Sequence, residues 1–233
     1  MNTNEQSLVR MAVQGQVMHP RCYGWEVTSD GTGAFLPAVG GITYNVRVGD
    51  PAFGWTADHV EPAVSLTASR DGLDKNPNKA FNAYSCVGNK VRLISGAAKG
   101  KTGVVTGHHG GVEHVIADFP EAVLKKMTED DKVLIESFGA GFRVEDVPDI
   151  AFFSLDPALF RKLKTKILKP RRLEVPVAAI VPPELMGSGV GSLDNYKGDY
   201  DIQTQDADAL KEHGLDRLRL GDFVALRDQD NRY

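Results

Sequence analysis

The segment KVRLISGAAKGKTGVVT, residues 90–106, contains two apolar runs joined by a turn rich in glycine and lysine. Val91 and Leu93 alternate with charged residues before the turn, and a second valine-rich run follows it. A period of two is typical of a strand that buries one face. Glycine tolerates the positive φ that a tight turn requires. The segment therefore predicts an antiparallel hairpin, and we expect residues 88–119 to form a compact barrel-like unit.

The same period recurs along most of the chain. Residues 42–48 alternate apolar and polar side chains, and so do residues 9–17. Further strands are predicted at 91–95, 103–106, 114–119, 132–137, 150–154, 174–181 and 222–227. Helix signals are limited to short segments after Asp156 and after Asp206 and at residues 121–127. The sequence thus predicts a mainly β fold of small barrel or sandwich units with a few short helices.

Length and composition indicate a globular chain of one or two domains. The 233 residues are 42% hydrophobic and 25% charged, which excludes an intrinsically disordered chain. We predict a β-rich domain at 1–155, which includes the 88–119 unit, and a smaller α+β segment at 156–233. The charged residues 162–172 are interpreted as a linker. The net charge of −4 argues against a DNA-coating protein or a polybasic membrane binder.

The sequence favours a reducing compartment. Cys22 and Cys86 are too few for a disulfide framework or a zinc ribbon. The first ten residues are polar and contain no apolar core of a secretory signal. The most apolar stretch, 175–181, is far shorter than the ~20 residues that span a bilayer. We therefore expect a soluble, cytoplasmic protein with no membrane partner.

Residues 92–105 resemble the KOW motif of ribosomal proteins and transcription elongation factors. The resemblance implies contact with RNA through Arg92, Lys99 and Lys101, because lysines beside a glycine turn can face a phosphate. The alternative interpretation is a barrel hairpin whose exposed lysines only keep the turn soluble. No aromatic residues interleave the lysines, which weakens the case for stacking on single-stranded nucleic acid.

The segment GDPAFGWTADHVEP, residues 49–62, concentrates ligand types that bind divalent metals. In an extended chain His59 and Glu61 point to one face and Asp58 to the other. A turn at Asp58 would allow all three to converge, and Asp50 precedes them in the same segment. The alternative is a structural histidine beside surface carboxylates.

The segment GHHGGVEH, residues 107–114, places three histidines and a glutamate around a glycine pair. Such a loop could bind a metal or an anion, or titrate near neutral pH. Neighbouring residues of a strand face opposite ways, so we expect His108 and His109 not to share one ion. The alternative is a flexible hairpin tip.

Two specialised segments lie near the C-terminus, MGSGVG at 186–191 and KGDYDI at 197–202. A Gly-Ser-Gly loop can present backbone N–H groups to an oxyanion. Asp199 and Asp201 share a face of a strand and could hold a cation or transfer protons. No histidine or lysine adjoins Ser188, which argues against a serine nucleophile. The alternative is a surface loop beside an acidic strand edge.

Taken in order, the segments GGITYNV (40–46), GD (49–50), DHVEP (58–62), KG (99–100), HGG (109–111), MGSG (186–189) and GDYDI (198–202) resemble a bacterial and archaeal family. This is domain-of-unknown-function family 4438, and the resemblance covers nearly the whole chain. It implies no established reaction. It also implies a glycine after Pro62, where this chain has Ala63, and a further glycine- and histidine-containing tail.

Our leading interpretation is an enzyme that performs metal-assisted hydrolytic or lyase chemistry on a small metabolite. The predicted catalytic residues are His59, Glu61, Asp199 and Asp201. The predicted ligands of a divalent ion (Zn²⁺, Mg²⁺ or Mn²⁺) are Asp50, Asp58, His59, Glu61 and Asp199. The predicted substrate contacts are Asn45, Gly187, Ser188, Gly189, Tyr200 and His109.

Asp58, His59 and Glu61 are expected to lie in one pocket with Asp199 and Asp201, although the two segments are far apart in sequence. No Walker loop or dinucleotide fingerprint is present in the sequence, so no nucleotide cofactor is expected. Two alternatives remain open. One is an RNA- or ribosome-associated module that uses Lys99 and Lys101, and the other is a structural oligomer with no catalytic site. We expect the chain to form a homo-oligomer.

Overall fold

The described part of the chain consists mainly of short strands, with few helices. The computed structural model describes residues 1–22, 24–28, 30–37, 39–57, 59–68, 76–110, 113–187, 200–202, 204 and 206–228. The strands are β1 (Met11–Val17), β2 (Glu26–Val27), β3 (Gly33–Ala34), β4 (Val64–Thr67), β5 (Lys90–Leu93), β6 (Thr102–His109), β7 (His114–Asp118), β8 (Lys132–Ser137), β9 (Lys166–Leu168), β10 (Arg172–Glu174), β11 (Ala179–Val181) and β12 (Val224–Leu226). The helices are α1 (Asn76–Tyr84), α2 (Glu121–Leu124), α3 (Pro157–Lys162) and α4 (Ala207–Glu212), with 3-10 turns at Glu5–Ser7, Pro183–Leu185 and Leu215–Arg217.

Six antiparallel strands form a closed barrel in the order β1-β4-β7-β6-β5-β8. Strand β1 closes the barrel against β8, in a register that runs from Met11 opposite Ser137 to Gln16 opposite Lys132. The predicted hairpin at 90–106 is β5 and β6, with Lys90 opposite Val104. The mainly β prediction is confirmed. Residues 88–119 supply three consecutive barrel strands and therefore half of the barrel.

The barrel core follows from the period of two in the strand sequences. Val91, Leu93, Val133 and Ile135 have no solvent exposure, whereas their neighbours on β5 and β8 face outward. Helix α1 contributes Phe81 to the same core cluster. Full burial of a valine or leucine side chain contributes about 1.5–3 kcal/mol, so the barrel interior is the main source of stability in this unit.

Two further apolar clusters lie beyond the barrel. The first centres on Phe142, Phe152 and Phe160, whose rings pack edge to face. The second contains Val181, Leu210, Leu215 and Leu218, next to the parallel pair β11–β12. The division into residues 1–155 and 156–233 stays a prediction. Among the described helices, none combines the length and apolar character needed to cross a bilayer.

Several sequence-based expectations about local structure are wrong. Residues 42–48 form no strand, and only Ile42 makes an isolated bridge, to Val64. Gly40 and Gly41 turn the chain at positive φ before this segment. The Arg47 guanidinium then binds the Asp118 carboxylate and the carbonyl of the next residue, so side chains replace a strand ladder here.

Three other segments differ from expectation. Residues 150–154 form no strand, and residues 174–181 contribute to two separate strands, since Pro176 removes a ladder donor. Residues 162–172 are not a linker, because they contain the hairpin β9–β10. Residues 76–84 form α1, which is absent from the helices predicted above. That helix has little apolar signal because its buried face includes Asn78 and Asn82 alongside Phe81.

Gly15 allows β1 to pack against α1. A Cβ atom at Gly15 would lie 2.5 Å from Phe81 Cζ and 2.6 Å from the Thr67 carbonyl oxygen. We predict that Gly15→Ala lowers the free energy of unfolding by about 1–3 kcal/mol, because overpacking forces the ring and backbone apart. Gly107→Ala is the matched control, since its Cβ would meet only Ile116 Cδ1 at 3.8 Å. Urea titrations that show equal losses for both variants would contradict this packing.

Candidate metal centre

Glu61 lies three residues before β4, where the chain joins the rim of the barrel. The Ala63 N–H donates to the Ala117 carbonyl at 3.2 Å, and the Ala63 carbonyl accepts from Thr43 N at 2.6 Å. The Ser65 hydroxyl donates to Glu61 Oε2 at 3.2 Å. These bonds fix the backbone on both sides of the segment and hold the carboxylate against β7.

His109 and His114 lie opposite each other at the end of the β6–β7 ladder. A tip of residues 110–113 joins the strands, and the Glu113 N–H donates to the His109 carbonyl at 3.2 Å. Because directly paired residues project to the same face of a sheet, the two imidazoles stack. Their ring centroids are 4.7 Å apart and their planes differ by 8°.

The imidazoles of His109 and His114 both contact the Glu61 carboxylate. His109 Nδ1 contacts Oε1, and His114 Nε2 lies 2.7 Å from Oε2. The side chains of Glu61, His109 and His114 are 12%, 14% and 0% exposed. Burial opposes ionisation of Glu61, but hydrogen bonds from the two histidines outweigh it and lower the pKa of this carboxyl to about 2. The carboxylate is therefore charged across the physiological range.

One ligand atom from each of these three residues lies within 4.8 Å of the others, so the group could hold a metal ion. Two imidazoles and one carboxylate form the ligand set of many catalytic zinc sites, in which a fourth position stays open. His114 Nδ1 is buried and has no hydrogen-bond partner among the described residues. A buried polar atom of this kind is uncommon, and a water molecule beside it would account for it.

A cavity of about 220 Å³ adjoins the cluster and includes Glu61 in its wall. Its described lining comes from residues 37–65 and includes His59, Asn45, Trp55 and Ser65. The His59 ring packs edge-on against His109, with 5.1 Å between ring centroids. The volume lies below the ~300–1,000 Å³ of drug-sized pockets, so the cavity suits a small molecule.

The structure brings several of the predicted site residues together. Glu61 and His109 are in contact, and His59 and Asn45 share the adjoining cavity. Asp50 lies in a turn, where its Oδ2 accepts from the Arg47 N–H at 2.7 Å. The sequence alone predicted Glu61 as a catalytic residue and metal ligand, and His109 as a substrate contact.

The described C-terminal site residues lie beside the second apolar cluster, against which Met186, Ile202 and Phe53 all pack. The Gly187 N–H donates to the Asp201 carbonyl at 2.7 Å, next to a bridge between residues 186 and 202. Burial raises the pKa of Tyr200. Asp58, Ser188, Gly189 and Asp199 lie outside the described residues. The shared pocket of Asp58–Glu61 and Asp199–Asp201 therefore stays a prediction.

Sequence reasoning did not assign His114 to the site. The signal was available, because histidines at both ends of a four-residue tip face each other across a hairpin. His108 points the opposite way, as the strand period predicts, and its Nε2 donates to the Ser85 carbonyl at 2.7 Å. Burial lowers the pKa of His108, so this ring favours the neutral form.

The KOW-like turn lies away from this cluster. Arg92, Lys99 and Lys101 are exposed around the β5–β6 connection, which enters β6 at Thr102. The cluster lies at the other end of that strand, at His109. At a rise of about 3.3 Å per residue, the two ends are roughly 20 Å apart. The exposed lysine turn and the largely buried candidate metal ligands therefore lie at opposite ends of β6.

We predict that Glu61 makes stability depend on acid pH. Its folded pKa of about 2 lies below the ordinary 4.5, so its contribution is complete above pH 4.5 and is lost as the pH falls toward 2. Between pH 6 and pH 3 the native protein should lose about 2 kcal/mol more unfolding free energy than Glu61→Gln. Urea unfolding at both pH values measures this difference. The control is Glu129→Gln, which removes a carboxylate that is 43% exposed beside an exposed histidine. Parallel pH profiles for the native protein and Glu61→Gln would show that Glu61 is not held as described.

The fold is shared with a protein of known structure. The chain is similar to the protein in a structure titled "Crystal structure of TM1086", with 43% sequence identity and a TM-score of 0.91. The match covers 100% of this chain and 80% of that one. No curated protein matches the chain at a significant level.

Two family models together account for most of the chain. The model described as "Domain of unknown function (DUF4438), N-terminal" matches residues 25–161, which include the barrel strands β4 to β8 and the Glu61 cluster. The corresponding C-terminal model matches residues 162–233. The resemblance inferred from the sequence motifs is thus confirmed, and this chain belongs to the DUF4438 family.

Proposed function

We propose that this chain is a metal-dependent enzyme that carries out hydrolytic or lyase chemistry on a small, polar molecule. The observation that carries the proposal is the Glu61 carboxylate, which binds His109 and His114 in the wall of a cavity. An ion-pair cluster that only stabilised the barrel would not require an adjoining cavity. A metal centre does require one, because the reacting molecule must reach the ion.

The ligand types favour zinc. Imidazole nitrogens suit Zn²⁺, whereas Mg²⁺ and Mn²⁺ prefer carboxylate, carbonyl and water oxygens. Zinc bonds to His and Glu are about 2.0–2.2 Å long. The ligand atoms already lie within 4.8 Å of one another, so small side-chain movements suffice to bring them around one ion. Of the metals expected from the sequence, Zn²⁺ is therefore the one we propose.

The cavity lining favours an uncharged or weakly charged substrate. Among its described residues, Thr43, Asn45 and Ser65 supply neutral hydrogen-bonding groups, and Glu61 supplies the carboxylate. Trp55 donates its indole N–H to the Pro51 carbonyl at 2.8 Å. This bond fixes the ring at the cavity edge. The described lining contains no lysine or arginine to neutralise a phosphate.

Each residue of the proposed site would have a role that follows from its position. Glu61, His109 and His114 would hold the ion, which supplies Lewis-acid activation of a carbonyl or of water. Asn45 would orient the substrate through its amide, and His59 would contact it from the cavity side. Val39 and Val46 would supply apolar contacts to the substrate from the cavity wall.

We predict that the metal-free protein binds one Zn²⁺ and that the ion raises the melting temperature. A ligand at 100 times its Kd stabilises by about 2.7 kcal/mol, which corresponds to roughly 5–10 °C for a chain of this size. His114→Ala and Glu61→Gln should each abolish the shift, since each removes a ligand. Metal analysis after gel filtration and differential scanning calorimetry measure the two effects.

His19→Ala is the control for this experiment. His19 is 51% exposed and pairs with Glu129, so its loss leaves the cluster intact and should leave zinc uptake unchanged. Glu61→Gln keeps the size of the side chain and tests the ligand even where His114→Ala reduces stability. Equal melting temperatures with chelator and with Zn²⁺ would contradict the metal site.

We further predict that zinc-loaded protein consumes a component of a mixture of small neutral metabolites. Asn45→Ala should reduce the rate while zinc binding persists, because Asn45 lines the cavity and is not among the three proposed ligands. Mass spectrometry of the mixture before and after incubation identifies the compound. Consumption that continues at the same rate in His114→Ala would exclude this site as its cause.

A further inference from the structure

Residues 161–172 form a strongly basic part of an otherwise acidic chain. The segment RKLKTKILKPRR contains seven of the 27 lysines and arginines and none of the 31 acidic residues. All seven basic side chains are exposed. We call these residues the basic face. The net charge of the whole chain is −4, so the remainder of the molecule is more acidic still.

The basic face is held rigidly. It begins at the last turn of α3 and continues through the hairpin β9–β10, in which Leu173 pairs with Ile167. Those two residues pack against the cluster around Phe142 and Phe160. The alternate residues therefore point outward, which places basic side chains on a fixed surface and not on a loose tail.

Most of the positive charge is not neutralised within the molecule. Arg161 contacts Glu5, Lys166 lies 3.0 Å from Glu174, and Arg171 lies 3.8 Å from Asp149. The other four, Lys162, Lys164, Lys169 and Arg172, form no ion pair with any residue that the structure describes. Like charges at this density repel one another, and an external anion would relieve that repulsion.

We propose that the basic face binds the phosphate backbone of a double-stranded nucleic acid. From Lys164 to Lys169 the chain advances roughly 15 Å at strand spacing. A duplex carries one charge per 1.7 Å of its axis, so that length presents about nine phosphates. A two-stranded ribbon also has dimensions that a duplex groove admits. A duplex beside the basic face thus carries more phosphates than its four unpaired basic side chains need.

The residue composition of the basic face disfavours two other partners, an anionic membrane and a single-stranded nucleic acid. Its tip is Lys169-Pro170-Arg171, which lacks the large apolar side chains that insert into an anionic membrane. Leu168, 38% exposed, is the single large apolar residue on the outward side of the two strands. The basic face contains no aromatic residue, and the neighbouring Phe160 is buried. Aromatic side chains are therefore not available to stack on unpaired bases.

Fluorescence anisotropy with the full chain and labelled 20-base-pair DNA and RNA duplexes tests the proposal. We expect a Kd of about 10⁻⁴–10⁻⁶ M near physiological salt, falling steeply at lower salt. A quadruple variant should bind the duplexes at least tenfold more weakly. It combines Lys162→Gln, Lys164→Gln, Lys169→Gln and Arg172→Gln. The slope of log K against log salt should flatten by about 3.6, at about 0.9 for each of the four lost contacts. Lys169→Gln alone should flatten it by about 0.9 and has no core contact to disturb.

The control replaces four lysines that are exposed elsewhere, at positions 79, 99, 101 and 126, with glutamine. It makes the same change in net charge and also tests the KOW-like turn, and its affinity should stay within twofold of the native protein. Equal weakening in both quadruple variants would overturn the proposal, as would the absence of duplex binding at low salt. Binding to vesicles of phosphatidylserine and phosphatidylcholine without duplex binding would assign the basic face to membranes and would equally overturn it. The duplex-binding experiment does not test the proposed zinc site, so either proposal could fail without the other.

Discussion

The pairing of β6 with β7 is the constraint on which the site and much of the barrel depend. The ladder places Val105 and Ala117 in the core and, further along, sets His109 opposite His114. A slip of one residue would turn both sets of side chains to the wrong face. The register shifts between Val105 and Gly107, so the part of the ladder beyond this shift fixes the spacing of the two imidazoles, while the part before it closes the core.

The second requirement is a carboxylate delivered from a distant segment. Glu61 precedes β4, which pairs with β7 through Val64 opposite Ala117. Strand order thus brings Glu61, some fifty positions away in sequence, to the histidine pair.

Helix α1 supports the hairpin tip from the other side. Its Asn78 side chain donates to the Glu113 carbonyl at 2.8 Å and accepts from the Ala68 N–H at 3.0 Å. The helix holds the hairpin tip, and so the imidazoles are positioned from two directions. Preorganisation of this kind is what a metal site needs, because ligands already in place lose little entropy when the ion binds.

The sequence predicts the barrel better than the site, for a physical reason. Strands such as β5 and β8 bury one face only, and their period of two is visible in any single sequence. Helix α1 was missed because buried asparagines form much of its inner face, and segment 42–48 was mispredicted because the Arg47 guanidinium replaces a strand ladder. His59, Glu61 and His109 were singled out from ligand type alone. The contact between Glu61 and His114 depends on which strands are neighbours, and local patterns do not contain that information.

X-ray absorption at the zinc edge tests the central claim most directly. For the zinc-loaded native protein we predict two imidazole nitrogens and one carboxylate oxygen at about 2.0–2.2 Å. His109→Ala removes a ligand, as His114→Ala does, and should therefore lose the zinc-edge signal of the native protein. A spectrum of water oxygens alone, or one that is identical in the native protein and His109→Ala, would contradict a metal centre at Glu61, His109 and His114.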